Sequence, residues 1–451
     1  MTVPDYQGPS LNRTTKAPAT SYVLGIAAGV VFLCLLAAGS AWAQDEHAAF
    51  SPEARAVFNQ TRDKLLQLSL IHKDTRAKAA TGSGFLAALN GFALTNYHVV
   101  AKLALEPTSY DLELQRSDGS TASAQLVAVD IANDLAVVQT GINGEQFLAF
   151  HHAPMSKGER GFAMGYPFDL GPTIVEGTYN GFIETDYVRR IHYTGPVNPG
   201  MSGGPALARD GTVFGINVAR SVDGQLVSYL VPSDRAEALL SRVQADHAAS
   251  TDLRAEVASQ IRAQQEKLFN ELLASRVSTT KLGRYSVPDA PTRFVRCSAL
   301  PQDKEARLYE RDTKWCTSHS YLFVDYNLRI GELEFVHQYF TSRELGTVRF
   351  ANLVEQAYST PFNFEARANK KELTAYRCQD DFVRRPQGVL RVALCSRAYK
   401  AFDGLYDFHL RAVTVDSPSS ALVSTLTISG VGFESGMRFA QRYLEAISWT
   451  K

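Results

Sequence analysis

The chain has 451 residues, 45% of them apolar, and its 46 basic residues balance its 46 acidic ones. That length exceeds one ordinary domain, and the apolar share is that of a globular chain. Balanced charge argues against a broad nucleic-acid surface, so no nucleic-acid partner is expected.

Residues 22–43 are nearly all apolar, follow Arg13 and Lys16, and end Ala41-Trp42-Ala43 before the polar Gln44-Asp45-Glu46. A basic lead, an apolar run and an Ala-x-Ala site read as a secretory signal peptide cut after Ala43. The run is also long enough to span a bilayer, so an uncut inner-membrane anchor is the alternative. Either way the chain is expected to be exported, periplasmic or secreted. Ser51-Pro52-Glu53 supplies an N-cap, a first-turn proline and a first-turn acid, which predicts a helix to about residue 70.

Short strands with turn signals follow, among them Asn90-Gly91, Asp118-Gly119 and Asp210-Gly211, the pattern of an all-β sandwich or barrel. His98 ends one apolar run that reads as a strand, and Asp134 precedes another, Leu135–Gln139. Residues 195–205 read Gly-Pro-Val-Asn-Pro-Gly-Met-Ser-Gly-Gly-Pro. A serine between glycines can sit on a tight turn with its hydroxyl bare. The same turn can aim two backbone N–H groups at one point, which is what acyl transfer needs. His, Asp and Ser fall in the order of one known triad arrangement.

Several segments carry a family resemblance: Thr81-Gly82-Ser83-Gly84-Phe85, Leu94-Thr95-Asn96-Tyr97-His98-Val99-Val100, Asn133-Asp134-Leu135-Ala136-Val137-Val138, Met164-Gly165-Tyr166-Pro167-Phe168 and Asn198-Pro199-Gly200-Met201-Ser202-Gly203-Gly204-Pro205. Together with Ser228-Tyr229-Leu230-Val231-Pro232-Ser233-Asp234, they make residues 50–245 resemble the trypsin-like serine proteases, most closely the HtrA/Deg branch. The resemblance implies a mainly β fold with a double β-barrel of the chymotrypsin type, the catalytic groups meeting between barrels. It makes Ser202 the nucleophile, His98 the base and Asp134 the residue that orients it, with Asp130 a rival for that third role. The N–H groups of Gly200 and Ser202 would form the oxyanion hole. Val218, Ala219 and Arg220 would be the edge strand that binds substrate backbone, and Val197 with that strand would line the primary side-chain pocket. Val197 suits a small or apolar side chain; Arg220 is either a solvated charge or one that reaches an acidic side chain. Met201 departs from the family, where Asn or Asp is usual. Methionine cannot pair with a freshly cut N-terminal amine, so the loop must be ordered in another way. No cofactor and no metal is expected.

The expected divisions are 1–43 leader, 44–245 protease domain, 246–281 linker helix and 282–451 an α+β domain of no recognised family. Leu253, Val257, Ile261, Leu268 and Leu272 keep one face of the linker helix, expected to dock on a neighbour rather than to dimerise. Strands are predicted at 321–326, 331–339, 389–395, 405–415 and 422–429, with helices near 346–358 and 436–448. Cys34 lies in the leader, and the other four cysteines all fall in the C-terminal part. In an exported chain they imply two disulfides, and Cys297–Cys316 with Cys378–Cys395, closing the shorter loops, is the expected pairing of three. The function expected is an exported serine endopeptidase with a polypeptide substrate. The alternative is a protease-fold binding or regulatory protein, inactive or active only when a partner orders the Met201 loop. The oligomeric state is not legible in the chain.

Overall fold

The computed structural model describes residues 51–144, 146–220, 226–246, 252–300, 308–318, 321–359 and 371–450. The leader, and with it the choice between cleavage and anchoring, lies outside these residues. Among the described residues no helix is long and apolar enough to cross a membrane.

Helix α1 (Pro52–Thr61) begins where Ser-Pro-Glu predicts but stops at Thr61, well short of residue 70. The leucine-rich stretch after it is strand β1 (Leu65–His72). It pairs on one side with β2 (Lys78–Leu86) and on the other with a strand at Tyr110–Arg116. With β3 (Phe92–Thr95), β4 (Tyr110–Arg116), β5 (Thr121–Asp130) and β6 (Leu135–Gln139) it closes a six-stranded barrel. Closure removes both sheet edges and buries Leu65, Leu66, Leu68 and Leu70 completely. A helix there would leave two barrel edges unpaired, so tertiary pairing overrides the local pattern.

A second closed barrel holds β7 (Arg160–Gly165), β8 (Thr173–Phe182), β9 (Ile191–Thr194), β10 (Pro205–Leu207), β11 (Val213–Arg220) and β12 (Ser228–Pro232). The expected double barrel is therefore present.

After α2 (Tyr97–Leu105) in the first barrel come α3 (Ser233–Asp246), directly after β12, and α4 (Leu253–Ala274), the one helix of the linker region among the described residues. Val257 and Ile261 of α4 bury in one cluster with the first barrel, whereas Leu268, Phe269 and Leu272 bury in another with the C-terminal sheet. Gln260 sits between, its Oε1 accepting from Ile131 N at 2.9 Å and its Nε2 donating to Val129 O at 2.8 Å. The helix thus docks on both neighbours.

Beyond it come β13 (Thr279–Leu282), β14 (Tyr285–Pro288), β15 (Arg296–Leu300), β16 (Glu310–Thr317), β17 (Leu322–Asp325), β18 (Leu328–Ile330) and β19 (Leu333–Thr341). Then follow α5 (Thr347–Ser359), β20 (Arg377–Arg385), β21 (Gly388–Ala398), β22 (Leu405–Thr414), β23 (Ser420–Gly432), α6 (Phe433–Glu445) and β24 (Ser448–Trp449). A seven-stranded sheet runs β15-β16-β19-β23-β22-β21-β20. Both expected disulfides form: Cys297–Cys316 joins β15 to β16 and Cys378–Cys395 joins β20 to β21. Each therefore ties an edge strand to its inner neighbour, where pairing is otherwise one-sided.

Candidate active site

His98 is not at a strand end. Strand β3 stops at Thr95, and Asn96 turns the chain into α2, whose first turn carries the imidazole. Asp134 lies on the turn before β6 with φ 58°, a left-handed conformation unusual for a residue with a side chain. That turn is held by Asp130, whose carboxylate accepts from the Asn133 backbone N–H at 3.0 Å and from its amide at 2.7 Å. Asp130 is thus a turn-forming residue. Asp134 faces the histidine: one oxygen accepts from His98 N at 2.9 Å, and the other lies 2.7 Å from Nδ1. Asn96 closes the arrangement by donating from Nδ2 to Asp134 O at 2.8 Å.

Two influences compete at the imidazole. Burial, the largest, disfavours its charge, but the Asp134 charge and hydrogen bond together prevail and raise the His98 pKa above its ordinary value. The bond to Nδ1 also fixes the tautomer that leaves Nε2 free to accept a proton. One-fifth of the side chain still reaches solvent.

Ser202 sits on the turn between the second barrel's core and β10. Among the described residues its hydroxyl donates to Val218 O at 3.3 Å rather than to His98. The serine turn is nevertheless bound to the first barrel. Ser83 N donates to Ser202 O at 2.7 Å, and Ser83 Oγ donates to Gly200 O at 2.6 Å while accepting from Tyr166 N at 2.9 Å. Gly203, at φ 85°, lies so close to the histidine turn that a Cβ there would stand 2.2 Å from Ser83 O and 2.8 Å from Asn96 N. Only glycine fits.

Gly200 has φ 96°. The carbonyl before it, Pro199 O, accepts from Phe168 N at 3.1 Å. In a trans peptide the C=O and N–H point in opposite directions, so this bond turns the Gly200 N–H away from Phe168. Among the described residues neither the Gly200 nor the Ser202 N–H has a protein acceptor. Met201 between them is fully buried, packed with Ala163, Tyr193, Val197, Phe214 and Leu230 inside the second barrel. Its carbonyl accepts from Gly204 N at 3.1 Å and from Asn217 Nδ2 at 3.3 Å. Met201 thus anchors the loop in the second barrel through apolar contact and its carbonyl, with no ion pair at this position.

The expected substrate-binding residues divide. Val218, Ala219 and Arg220 end β11, which pairs with β10 only as far as Ile216 but with β12 as far as Arg220. Among the described residues one edge of 218–220 thus lacks a strand neighbour, and that edge begins at the carbonyl bonded to Ser202. Val197 is 3% exposed and belongs to the packed interior rather than to an open pocket wall. Sequence reasoning missed Ser83 and Asn217 as site residues. Ser83 stands between Gly82 and Gly84, a pattern that marks close backbone approach and was a usable signal.

Residues 82–216 match the family model described as the trypsin-like peptidase domain. The chain carries a trypsin-like peptidase domain. Serine protease HTRA1 of Xenopus tropicalis is 32% identical to it over 181 residues, covering 36% of this chain and 36% of that protein. A probable periplasmic serine endoprotease DegP-like of Chlamydia muridarum is 29% identical over 177 residues, covering 37% of this chain and 34% of that protein. The chain thus spans about a third of the length of these curated relatives. A crystal structure of the serine endoprotease from Yersinia pestis aligns with 44% of this chain and 69% of its own, at 20% identity and a TM-score of 0.38. The relatives that match this domain in sequence include proteins named HTRA1 and DegP-like.

Proposed function

We propose that the protein is an exported serine endopeptidase that cleaves polypeptides through an acyl-enzyme. Its peptidase domain spans 44–245, a linker region 246–281, and an α+β domain 282–451. The observation that carries this proposal is the His98–Asp134 pair with Nε2 left free, beside a serine turn bound to the same barrel by Ser83.

For catalysis the Ser202 hydroxyl must leave the Val218 carbonyl and donate to His98 Nε2 instead. Ser202 Oγ then attacks the scissile carbonyl carbon as its proton passes to His98 Nε2. The C–N bond breaks, and the amine leaves with that proton. Water, deprotonated by His98, hydrolyses the ester and restores the serine. The Gly200 and Ser202 N–H groups hold the oxyanion, each worth about 3 kcal/mol of barrier. The open edge of Val218, Ala219 and Arg220 takes the substrate as an added strand. Export is supported by the Ala-x-Ala leader, by two disulfides in the C-terminal domain and by a relative named as periplasmic.

Denatured casein and a fluorophosphonate probe test this on the full chain. Wild type should cleave and label, and Ser202→Ala should lose about 10⁶-fold in kcat and all labelling. A wild-type chain that neither labels nor cleaves would sink the proposal and leave a protease-fold binding protein.

A further inference from the structure

The hairpin of β17 and β18, from the C-terminal domain, lies against the catalytic histidine's helix. Leu322, Val324, Leu328 and Ile330 bury in one cluster with Tyr97, Val100, Ala101 and Ala104 of α2. Tyr97 is completely buried, and its hydroxyl donates to Val324 O at 2.9 Å, across 227 positions of chain. Phe323, between the two buried residues of β17, turns the other way. Its ring meets the His98 imidazole edge-on, centroids 5.9 Å apart, and is braced by Tyr97 at 6.5 Å and Tyr326 at 5.6 Å. Tyr326 in turn lies under the Lys102 ammonium, 5.9 Å from its ring centroid.

None of these contacts is needed to build either barrel. The barrels close without the hairpin, and its own strands pair only with each other. What the hairpin adds is an apolar surface on one side of the imidazole, in a place where water would otherwise solvate its charged form. From this we infer that the hairpin is a third wall of the active site and that Phe323 is a positioning residue for His98. The inference rests on the peptidase mechanism proposed above. It makes the C-terminal domain part of the catalytic unit rather than an appended binding module.

The charged and titratable groups on the elements around His98 include Asp134, Asp130 at the end of β5, Lys102 from its own helix, Arg190 just before β9, Tyr321 just before β17, and Asp325 and Tyr326 from the hairpin. Asp134 acts on His98 directly, Asp325 and Asp134 on Tyr97, and Tyr321 on Arg190. A Phe323 substitution changes none of these charges. Its effect on the imidazole is therefore one of solvation and orientation.

The sign follows from burial, which holds the imidazole's charge down. Removing the ring admits water, so Phe323→Ala should move the His98 titration to higher pH. In the full chain, the second-order rate of Ser202 labelling by a small fluorophosphonate should fall about 10-fold. Its pH limb should move up. Phe323→Tyr should restore both. Tyr97→Phe, which keeps the ring but removes the bond to Val324 O, should shift the limb in the same direction by less. Should Phe323→Ala fail to fold, Tyr97→Phe carries the same test.

Direct NMR titration of the His98 imidazole, assigned with His98→Gln, separates the two proposals. If wild type does not label, the peptidase mechanism fails, but a moved His98 titration in Phe323→Ala still supports the wall. Unchanged labelling rate and unchanged titration in Phe323→Ala and Tyr97→Phe would overturn it.

Discussion

The first barrel presents His98 and Asp134 through charged hydrogen bonds at 2.7 and 2.9 Å, whereas the second presents Ser202 through apolar burial and shared carbonyls. The histidine half is thus ordered by electrostatics and the serine half by packing. The difference teaches how a loop with methionine where the resemblance implies Asn or Asp can be held by packing. Met201 is buried inside the second barrel, and Ser83 lends the first barrel's backbone and hydroxyl to the loop.

Damage to the electrostatic half should have the largest effect on rate. Asp134→Asn should lower kcat on casein about 10⁴-fold. It removes both influences that raise the His98 pKa and leaves burial alone. The residual activity should therefore extend to lower pH than in wild type. In wild type, activity should fall as pH drops through a value above the ordinary imidazole value of about 6.5, because the raised pKa keeps His98 protonated there. A wild-type rate flat from about pH 5 to 8 would remove His98 as the base.

The packing half should break next. Met201→Asp puts an unpaired carboxylate into a pocket with no exposed surface and should cost on the order of 3–5 kcal/mol. Thermal unfolding reads that loss, and fluorophosphonate labelling should fall with it. Full labelling at unchanged stability would mean that burial of this side chain does not order the loop.

Ser83→Ala tests the tie between halves. It strips a donor from Gly200 O and an acceptor from Tyr166 N, costing about 1–3 kcal/mol. Cleavage should slow while the pH limb stays put, since no group near His98 changes charge. A limb that moved would show that Ser83 acts through the histidine instead. The smallest change should come from Asp130→Asn, because an amide oxygen can still accept from Asn133 N. Its activity should stay near wild type, within about 0.5 kcal/mol in stability. A rate as low as that of Asp134→Asn would reverse the assignment of the two carboxylates.

Much of this was legible along the chain because the signals are local. Ser202 announces itself by flanking glycines that its turn demands, and Asp134 by the strand Leu135–Gln139 that follows at once. The cysteine pairs were chosen as those that close the shorter loops, and the choice holds because each pair joins directly opposed residues of adjacent antiparallel strands. Where local pattern was ambiguous, reading failed. Residues 65–72 carry enough leucine for a helix and became a strand because the barrel lacked its sixth. His98 moved from strand end to helix because Asn96 turns the chain only once Asp134 is there to accept its amide.

The amino-acid sequence by itself determined the barrel class of the peptidase domain, put a proposed nucleophile, base and carboxylate in order, and favoured one pairing of the cysteines. The turns of Ser202 and Asp134 show in residues a few positions apart, where steric demand leaves few choices, and the cysteine partners lie only 19 and 17 positions apart. Only the tertiary structure decided that Met201 is buried, that Ser83 binds the two barrels, and that Phe323 stands against His98. Those contacts join residues 83 to 200 and 98 to 323. No local rule of turn, period or propensity specifies such a meeting, because it comes about only when packed surfaces find one another.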